Sequence, residues 1–377
     1  MKTIKNLTAE QLRKSILQLA IQGKLVKQDP NDEPASVLVD KIYAEKKKLI
    51  AEGKIKKEKV ESRIYKGDDN RYYEKIGNTI KDITDELPFG IPNNWEWIRL
   101  SNVAFIFNGN SINEDEKQKK YTNLTSGYNY IATKDVSFDR KINYNNGIKI
   151  PFDINFRIAP ANNVLMCIEG GSAGRKIAIL NEDVCFGNKL ACFQTYFDIS
   201  QYLYNYLQSP SFTQIFKGEI SGIIGGVSIN TLKSLFFPLP PLNEQRRIIE
   251  KINEINPCLN HYDDLEKQLT KLEDEITEKL KKSILQYAIE GKLVKQDPND
   301  EPASVLLERI KSEKEKLIKE GKIKRDKNEG FIYHGDDKNY YEKIGNEIKN
   351  ITDEIPFDIP KNWIWARVKN IASYGNT

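Results

Sequence analysis

Apolar residues recur at intervals of three and four along residues 248–284, with polar residues between them. The series is Ile248, Ile252, Ile255, Leu259, Tyr262, Leu265, Leu269, Leu272, Ile276, Leu280 and Ile284. This spacing places the residues on one face of a helix and is typical of a coiled-coil seam. It predicts a helix from Asn243 to Gly291, about 70 Å long at the ordinary helical rise, which Pro257 would kink or split. Such a stripe needs a partner, either the helix near residues 8–22 or a second chain.

Between residues 95 and 240 the pattern changes to short apolar or alternating runs, separated by Gly, Asn and Asp. Runs of this kind, rich in aromatic and β-branched residues, predict β-strands. They lie at 98–107, 128–131, 142–150, 164–168, 177–180 and 190–195. One helical segment is predicted at about 200–217. Together these elements predict a mixed α/β domain of about 150 residues.

A long internal repeat surrounds this block. Residues 14–104 recur at 282–372 with a constant offset of 268 and no gap, and 64 of the 91 aligned positions are identical. Solenoid repeats are only tens of residues long, so this period predicts two large units of the same structure. The second copy breaks off at Thr377, where the unique block 105–281 would begin again. The chain is therefore expected to hold one and a third copies of a larger module.

Each copy begins with predicted helices. Thr8 and Gln11 match a capping box at the start of the first helix, and Gly23 is placed to end it. A second helix is predicted from Pro34 to Gly53, and its repeat at 302–321.

Two further features of the repeat have expected locations. The lysine-rich stretches 46–59 and 314–327 are of mixed charge and are expected to form exposed helix faces. Trp95 and Trp97, which return in the second copy, are expected to be core or interface anchors.

Composition narrows the class of protein. A chain of 377 residues predicts two or three domains. Its 58 Lys and Arg against 54 Asp and Glu give a net charge of +4, too small to indicate nucleic-acid binding by charge alone. No apolar run approaches the ~18 residues that span a bilayer, and the N-terminus does not resemble a secretory signal. A cytoplasmic protein without membrane contact is expected.

Residues that would carry catalysis or hold a metal are scarce. The cysteines are Cys167, Cys185, Cys192 and Cys258. They lack CxxC spacing, so free buried thiols are expected instead of a zinc site. His261 and His334 have no evident triad partner and are expected at the surface. No catalytic residue and no metal ligand is therefore predicted.

The most distinctive polar stretch is GGSAGRK at residues 170–176. It has neither the spacing of a Walker phosphate loop nor that of a Rossmann turn. What remains is a flexible loop that ends in two cations, suited to approach a phosphate chain or a base edge. A simple β-turn fits the same residues equally well.

Three segments carry a resemblance to a known family: IPNNWEWIRL at 91–100, GIIGGVSI at 222–229 and LFFPLPPLNEQRRII at 235–249. With the repeat, they resemble the specificity subunit of type I restriction-modification systems. The resemblance covers essentially the whole chain. It implies an α+β fold, in which a mixed α/β target recognition domain is joined to long antiparallel coiled-coil spacer helices.

The resemblance also implies five segments. They are a helical spacer end (1–88), a target recognition domain (89–240), a long coiled-coil spacer helix (241–291), a second helical spacer end (292–362) and a stub of a second recognition domain (363–377).

The function that the resemblance implies is DNA sequence recognition without catalysis. Each recognition domain of the family reads one half of a bipartite DNA target, and the spacers dock modification (methyltransferase) subunits and restriction (motor-nuclease) subunits. S-adenosylmethionine, ATP and Mg are expected on those partners, and no cofactor on this chain. In agreement, the sequence has no (D/N)PP(Y/F) methyltransferase motif and no helicase Walker loop.

The chain departs from the family in its missing second recognition domain. Either two chains pair through their long helices into a two-fold assembly, or the chain is a truncated or split form. An adaptor whose coiled coil and α/β domain bind a protein without direct DNA recognition stays open as an alternative.

Candidate DNA contacts lie in predicted loops, where Arg or Lys faces guanine or phosphate and Asn faces adenine. They are Lys117, Lys119, Lys120, Tyr121, Ser172, Arg175, Lys176, Asn188 and Lys189.

Overall fold

The computed structural model describes residues 7–57, 61–222, 225–326 and 329–372. Parts of three sequence features lie outside these residues, namely 58–59 and 327 of the lysine-rich stretches, 223–224 of the GIIGGVSI segment and 373–377 of the stub. The chain forms two compact units, Met1–Glu266 and Lys267–Thr377. Both contain helices and strands, which confirms the expected α+β class. Each unit is built around one copy of the repeat.

The first unit opens with two helices, α1 (Ala9–Ile21) and α2 (Ala35–Ala51). The capping box predicted for α1 is present, because the Thr8 hydroxyl accepts from the Gln11 amide while the Gln11 side chain accepts from the Thr8 amide. Gly23 follows α1 with a φ of +69°, the left-handed conformation that ends helices.

Lys46 on α2 contradicts the expectation of an exposed lysine-rich face. It is 3% exposed, and its Nζ donates to the Ser101 carbonyl at 2.9 Å and to Asn102 Oδ1 at 3.2 Å. The ammonium can be buried because the oxygens of Ser101 and Asn102 accept its hydrogen bonds.

A three-stranded antiparallel sheet follows, formed by β1 (Ser62–Lys66), β2 (Tyr72–Ile76) and β3 (Thr79–Asp82). The segment 1–88, expected as a helical spacer end, therefore contains a sheet as well as helices. Ile64 and Glu74 are buried while the residues beside them are more exposed, which is the period of two that a strand produces.

Residues 96–239 form two four-stranded sheets and a two-stranded ribbon. The ribbon pairs β4 (Glu96–Arg99) with β13 (Phe236–Leu239), so the two ends of this segment lie side by side. One sheet, entirely antiparallel, has the order β10 (Ile177–Ile179), β9 (Val164–Cys167), β12 (Leu190–Thr195), β5 (Ala104–Asn108). The other has the order β7 (Lys149–Ile150), β6 (Tyr128–Ile131), β11 (Val184–Phe186), β8 (Ile158–Ala159), with β6 and β11 parallel.

Short helices interrupt the strand pattern. They are α3 (Leu100–Val103), α4 (Glu114–Lys120), α5 (Ser200–Tyr206), α6 (Pro210–Gly218) and α7 (Ile229–Ser234). The strands predicted at 128–131 and 190–195 are confirmed, whereas α3 divides the strand predicted at 98–107. The single helix predicted at 200–217 is wrong, because Ser209 caps a new helix that begins at Pro210.

The predicted long helix is confirmed as α8 (Leu242–Ile289), one helix of 48 residues that contains Pro257 without being split. Asn243 lies in its first turn and does not cap it. In the first unit α1 lies antiparallel to α8, since the Ala9 amide donates to Glu266 and Arg13 donates to Asn256 and Asn260. The first part of the apolar stripe therefore has its partner within the chain, with Ile248, Ile252 and Leu259 buried.

Trp95 and Trp97 are core residues, 2% and 1% exposed, as expected. The ring of Trp95 meets Tyr202 of α5 edge-on, and its Nε1 donates to Glu244 of α8 at 2.9 Å. Trp97 packs against Phe236 of β13. These contacts bind the first repeat copy to the unique block.

Glu244 provides a test of this junction. Burial raises its pKa, although hydrogen bonds from Trp95 and Gln28 and the charge of Arg247 act against the rise. A raised pKa means that the folded chain keeps the proton to a higher pH than the unfolded chain. The contribution of Glu244 to the free energy of unfolding is therefore expected to fall as pH rises above the ordinary 4.5.

Glu244→Gln removes this titration and should flatten that part of the pH profile in urea unfolding. Glu254→Gln, on the exposed face of the same helix, is the control and should keep the wild-type profile. An unchanged profile in Glu244→Gln would show that Glu244 does not titrate abnormally.

The second unit repeats the architecture of the first repeat copy. It contains the end of α8, then α9 (Ala303–Lys319), β14 (Gly330–His334), β15 (Tyr340–Ile344), β16 (Glu347–Asn350) and α10 (Val368–Ile371). Its three strands form an antiparallel sheet in chain order, as β1–β3 do. This confirms that the two copies adopt the same structure. One difference is that residues 364–367, which align with β4, form no strand.

The cysteines and histidines agree with expectation except at one position. Cys167, Cys185 and Cys192 are buried free thiols, but Cys258 is exposed, since it lies on α8 away from the buried stripe. His261 and His334 are exposed. Among the described helices, none has the length and apolar character required to cross a bilayer.

Candidate nucleic-acid interface

The glycine loop, residues 170–176, connects the antiparallel strands β9 and β10. Gly170 and Gly174 have φ values of +77° and +69°, which favour glycine. The Gly170 amide donates to the Gly225 carbonyl at 2.7 Å, and a Cβ at Gly174 would meet the Phe216 ring at 2.8 Å. The loop is therefore a hairpin connection held against α6 and the segment around Gly225.

Phe138 lies at the surface near the two cations that end the glycine loop. Its side chain is 57% exposed, and its ring centroid is 5.0 Å from the Arg175 guanidinium and 5.1 Å from the Lys176 ammonium. Lys176 Nζ also donates to the Thr133 carbonyl at 3.0 Å. An exposed aromatic ring flanked by cations is suited to stack on a base or to enter a groove beside phosphates.

Phe138 belongs to a tight turn, residues 137–141, which connects Val136 to its bridge partner Ile142. The Ser137 amide and hydroxyl both donate to the Lys141 carbonyl. Arg140 in this turn has a φ of +69°.

The asparagine loop, residues 187–189, lies beside the glycine loop. The Ile168 amide donates to the Lys189 carbonyl at 3.0 Å, and Lys189 Nζ lies 3.5 Å from the Glu169 carboxylate. Asn188 is exposed. The structure thus brings together five predicted residues, Ser172, Arg175, Lys176, Asn188 and Lys189.

The predicted residues on α4 have different surroundings. Lys117 pairs with Glu114 at 2.9 Å and Lys120 with Glu116 at 3.2 Å, while Lys119 is exposed. Tyr121 is 5% exposed and packs against Phe156, which leaves its side chain little surface for DNA. The carboxylates of α4 offset much of its positive charge.

Sequence reasoning missed Phe138, Arg140 and Arg13. The run Phe-Asp-Arg-Lys at 138–141 is a polar turn with one large apolar residue, which is the signal that was available. Phe138 lies near the glycine loop, and Arg140 and Arg13 line a cavity beside α5. Both arrangements bring together segments that are far apart in the chain.

Comparison with known proteins gives a family for this arrangement. The Type I restriction modification DNA specificity domain matches residues 92–284. The chain is 32% identical to the type I restriction enzyme EcoAI specificity subunit of Escherichia coli over 97% of its own length and 63% of the relative's. For the EcoEI specificity subunit of the same organism the values are 30%, 96% and 61%. The chain thus spans less than two thirds of these relatives.

Likeness to solved structures is weaker. A chain from a structural study of assembly and conformational transition in the type I R-M system gives a TM-score of 0.41 at 23% identity, over 54% of this chain and 48% of that one. The HsdS subunit from Thermoanaerobacter tengcongensis gives 0.38 at 24%, over 54% and 47%. The family model, in contrast, matches just over half of this chain. The chain therefore belongs to the family of type I restriction-modification DNA specificity proteins.

Proposed function

We propose that the chain is a non-catalytic DNA specificity subunit that recognises one half of a bipartite target through residues 89–240. The observation that carries this proposal is the family match over 92–284, which includes the whole surface formed by the glycine loop, the asparagine loop and Phe138. The proposal includes the five segments expected from the sequence, with bounds at 1–88, 89–240, 241–291, 292–362 and 363–377. A subunit of this kind acts on chromosomal DNA in the cytoplasm.

Arg175 and Asn188 are the best candidates for base-edge contacts, because Arg pairs with guanine and Asn with adenine, at ~1–3 kcal/mol per good bidentate pair. Ser172, Lys176, Lys189 and Lys119 are assigned to phosphates, which set the register on the duplex. Lys117, Lys120 and Tyr121 contribute less, since they are paired or buried.

The proposed partners are modification subunits and restriction subunits that dock on the spacer helices. S-adenosylmethionine, ATP and Mg belong to those partners in this proposal. The small net charge of +4 supports weak DNA binding by the isolated chain, with much of the affinity supplied by the assembled complex.

We further propose that the chain forms a homodimer through the second part of the α8 stripe. Five residues of the stripe in the second unit, each at least 46% exposed, carry this proposal: Leu269, Leu272, Ile276, Leu280 and Ile284. Exposed apolar residues at coiled-coil spacing favour a second helix as their partner. Two recognition domains related by a two-fold axis would read an inverted repeat.

The decisive experiment exchanges residues 89–240 for those of a related chain, co-expressed with the modification subunit. The methylome is expected to show a new half-site, because the exchanged block supplies the base contacts. Exchange of residues 292–362 alone is the control and should leave the motif unchanged. A motif that survives exchange of 89–240 would favour the protein-binding adaptor.

A further inference from the structure

A cavity of about 330 Å³ lies in the first unit between α1, α5, the first part of α8 and the turn 137–141. Two arginines line it, Arg13 from α1 and Arg140 from the turn. Arg13 donates to the amide oxygens of Asn256 at 2.9 Å and Asn260 at 3.0 Å. Neutral oxygens therefore satisfy Arg13 and leave its positive charge in place.

Arg140 retains its charge as well. Its guanidinium has no hydrogen-bond or ion-pair partner among the residues that the structure describes. Asp139 lines the same cavity but lies 3.5 Å from Lys141 Nζ. Both arginines line the cavity, and burial, followed by the positive charge of Arg140, lowers the pKa of Arg13.

Two acids act on the charge of Arg13. Glu10 and Asp263 raise the pKa of Arg13 but less than burial and Arg140 lower it. Glu10 is itself paired with Lys14 at 3.2 Å.

Asn205 of α5 supplies an independent observation. It lines the cavity, is 5% exposed, and its Nδ2 has no hydrogen-bond partner within the described part of the chain. A buried amide donor without an acceptor costs about 1–3 kcal/mol, so such a group calls for an acceptor that the protein lacks. Two guanidiniums and an unused amide N–H are all donors, and a phosphate presents only acceptor oxygens at its anionic face.

Arg13, one residue before the repeat, has no arginine counterpart in the second unit. At the same offset of 268 the second copy has Lys281, which pairs with Glu278 at 3.1 Å. In the second unit the charge at this position is neutralised on its own helix.

We propose that Arg13, Arg140 and Asn205 form a phosphate-binding site where the spacer helices meet the recognition domain. The proposal rests on the proposed DNA-recognition function for its occupant, a backbone phosphate of the duplex. Arg140 belongs to the same tight turn as Phe138, which contacts Arg175 and Lys176, so the turn connects the site to the candidate interface. A phosphate held there couples the position of the spacer to that of the recognition domain.

The test measures DNA binding by the full chain in complex with its modification subunits, on a duplex that carries the motif found by methylome sequencing. Arg140→Asn is the main variant, because asparagine tolerates the positive φ and Arg140 makes no contact that folding needs. It is expected to weaken binding about three- to tenfold and to reduce the slope of log K against log salt by about 0.9, the loss of one phosphate contact. Lys281→Gln removes one charge in the second unit and should leave the slope unchanged.

A second arm titrates the full chain alone with inorganic phosphate by calorimetry. Suppose that the wild-type chain binds phosphate, that Arg140→Asn and Arg13→Gln each abolish this binding, and that Arg140→Asn leaves the salt dependence of DNA binding unchanged. This result would assign the site to a free phosphate instead of a DNA phosphate. An unchanged slope and no phosphate binding would overturn the site. If the wild-type complex binds no DNA specifically, the proposed function fails, while the phosphate titration still decides the site.

Discussion

Replacing Arg99 with alanine is expected to destabilise the first unit by about 3–5 kcal/mol at neutral pH, because it leaves a buried carboxylate unpaired. Glu74 is 3% exposed, and Arg99 binds both of its oxygens, at 2.9 and 2.5 Å. Arg99 also donates to the Ser234 carbonyl, and its guanidinium lies 3.9 Å from the centroid of the Phe236 ring. One side chain thus joins the three-stranded sheet, β4 and β13.

The pH dependence of this loss has a definite sign. Burial raises the pKa of Glu74, but the hydrogen bonds and charge of Arg99 outweigh burial and hold that pKa below its ordinary 4.5. The pair therefore stabilises the fold above the unfolded-state pKa, and its contribution disappears as pH falls through the folded-state pKa. The cost of Arg99→Ala should shrink on acidification, as measured by urea unfolding at several pH values.

Arg63→Ala is the matched control for Arg99→Ala. Arg63 lies on the neighbouring strand β1 and pairs with Asp40 at 3.0 Å, with both side chains more than half exposed. Exposed pairs contribute about 0–1 kcal/mol, so this variant should unfold close to the wild type. Equal losses in the two variants would show that the Glu74 pair is not special.

Substituting Leu269 and Ile276 together by glutamate is expected to convert the proposed dimer into a monomer at micromolar concentration. Both residues are more than half exposed on the α8 stripe. In a dimer they would be buried opposite their counterparts, where four unpaired carboxylates cannot be accommodated. Sedimentation of the full chain measures the change directly.

The control carries the same change of charge on the opposite face of the helix. Lys271→Gln with Lys282→Gln removes two positive charges, which changes the net charge by the same −2 as two added glutamates, and both positions are exposed. This variant should sediment as the wild type does. A wild-type chain that is monomeric at micromolar concentration would refute the homodimer.

Much of the local structure could be read from the sequence. The seam at 248–284 predicts α8, because apolar residues three or four positions apart lie on the same face of a helix. The capping box at Thr8 sets the start of α1. The strands at 128–131 and 190–195 follow from short-range pattern as well. The three-stranded sheet was missed because its strands are mostly exposed, so the alternation along each one is weak.

The candidate interface was predictable only in part. The glycine loop and the asparagine loop stand out by composition, and these two lie together. The contact of Phe138 with Arg175, and the cavity that Arg13 and Arg140 line together, join segments tens to more than a hundred residues apart. No local pattern encodes such pairs, because they arise only when the sheets and helices pack.

The sequence by itself determined that two parts of this chain share one structure, since 64 of 91 aligned residues are the same. Only the tertiary structure decided in which copy the conserved tryptophan position is buried. Trp95 is 2% exposed, whereas its counterpart Trp363 is 39% exposed. Likewise, residues 96–99 form β4 whereas residues 364–367 form no strand, although Ile364 suits a strand better than Glu96. The physical reason is that a strand requires a neighbour for its backbone hydrogen bonds, and in the first unit β13 provides it.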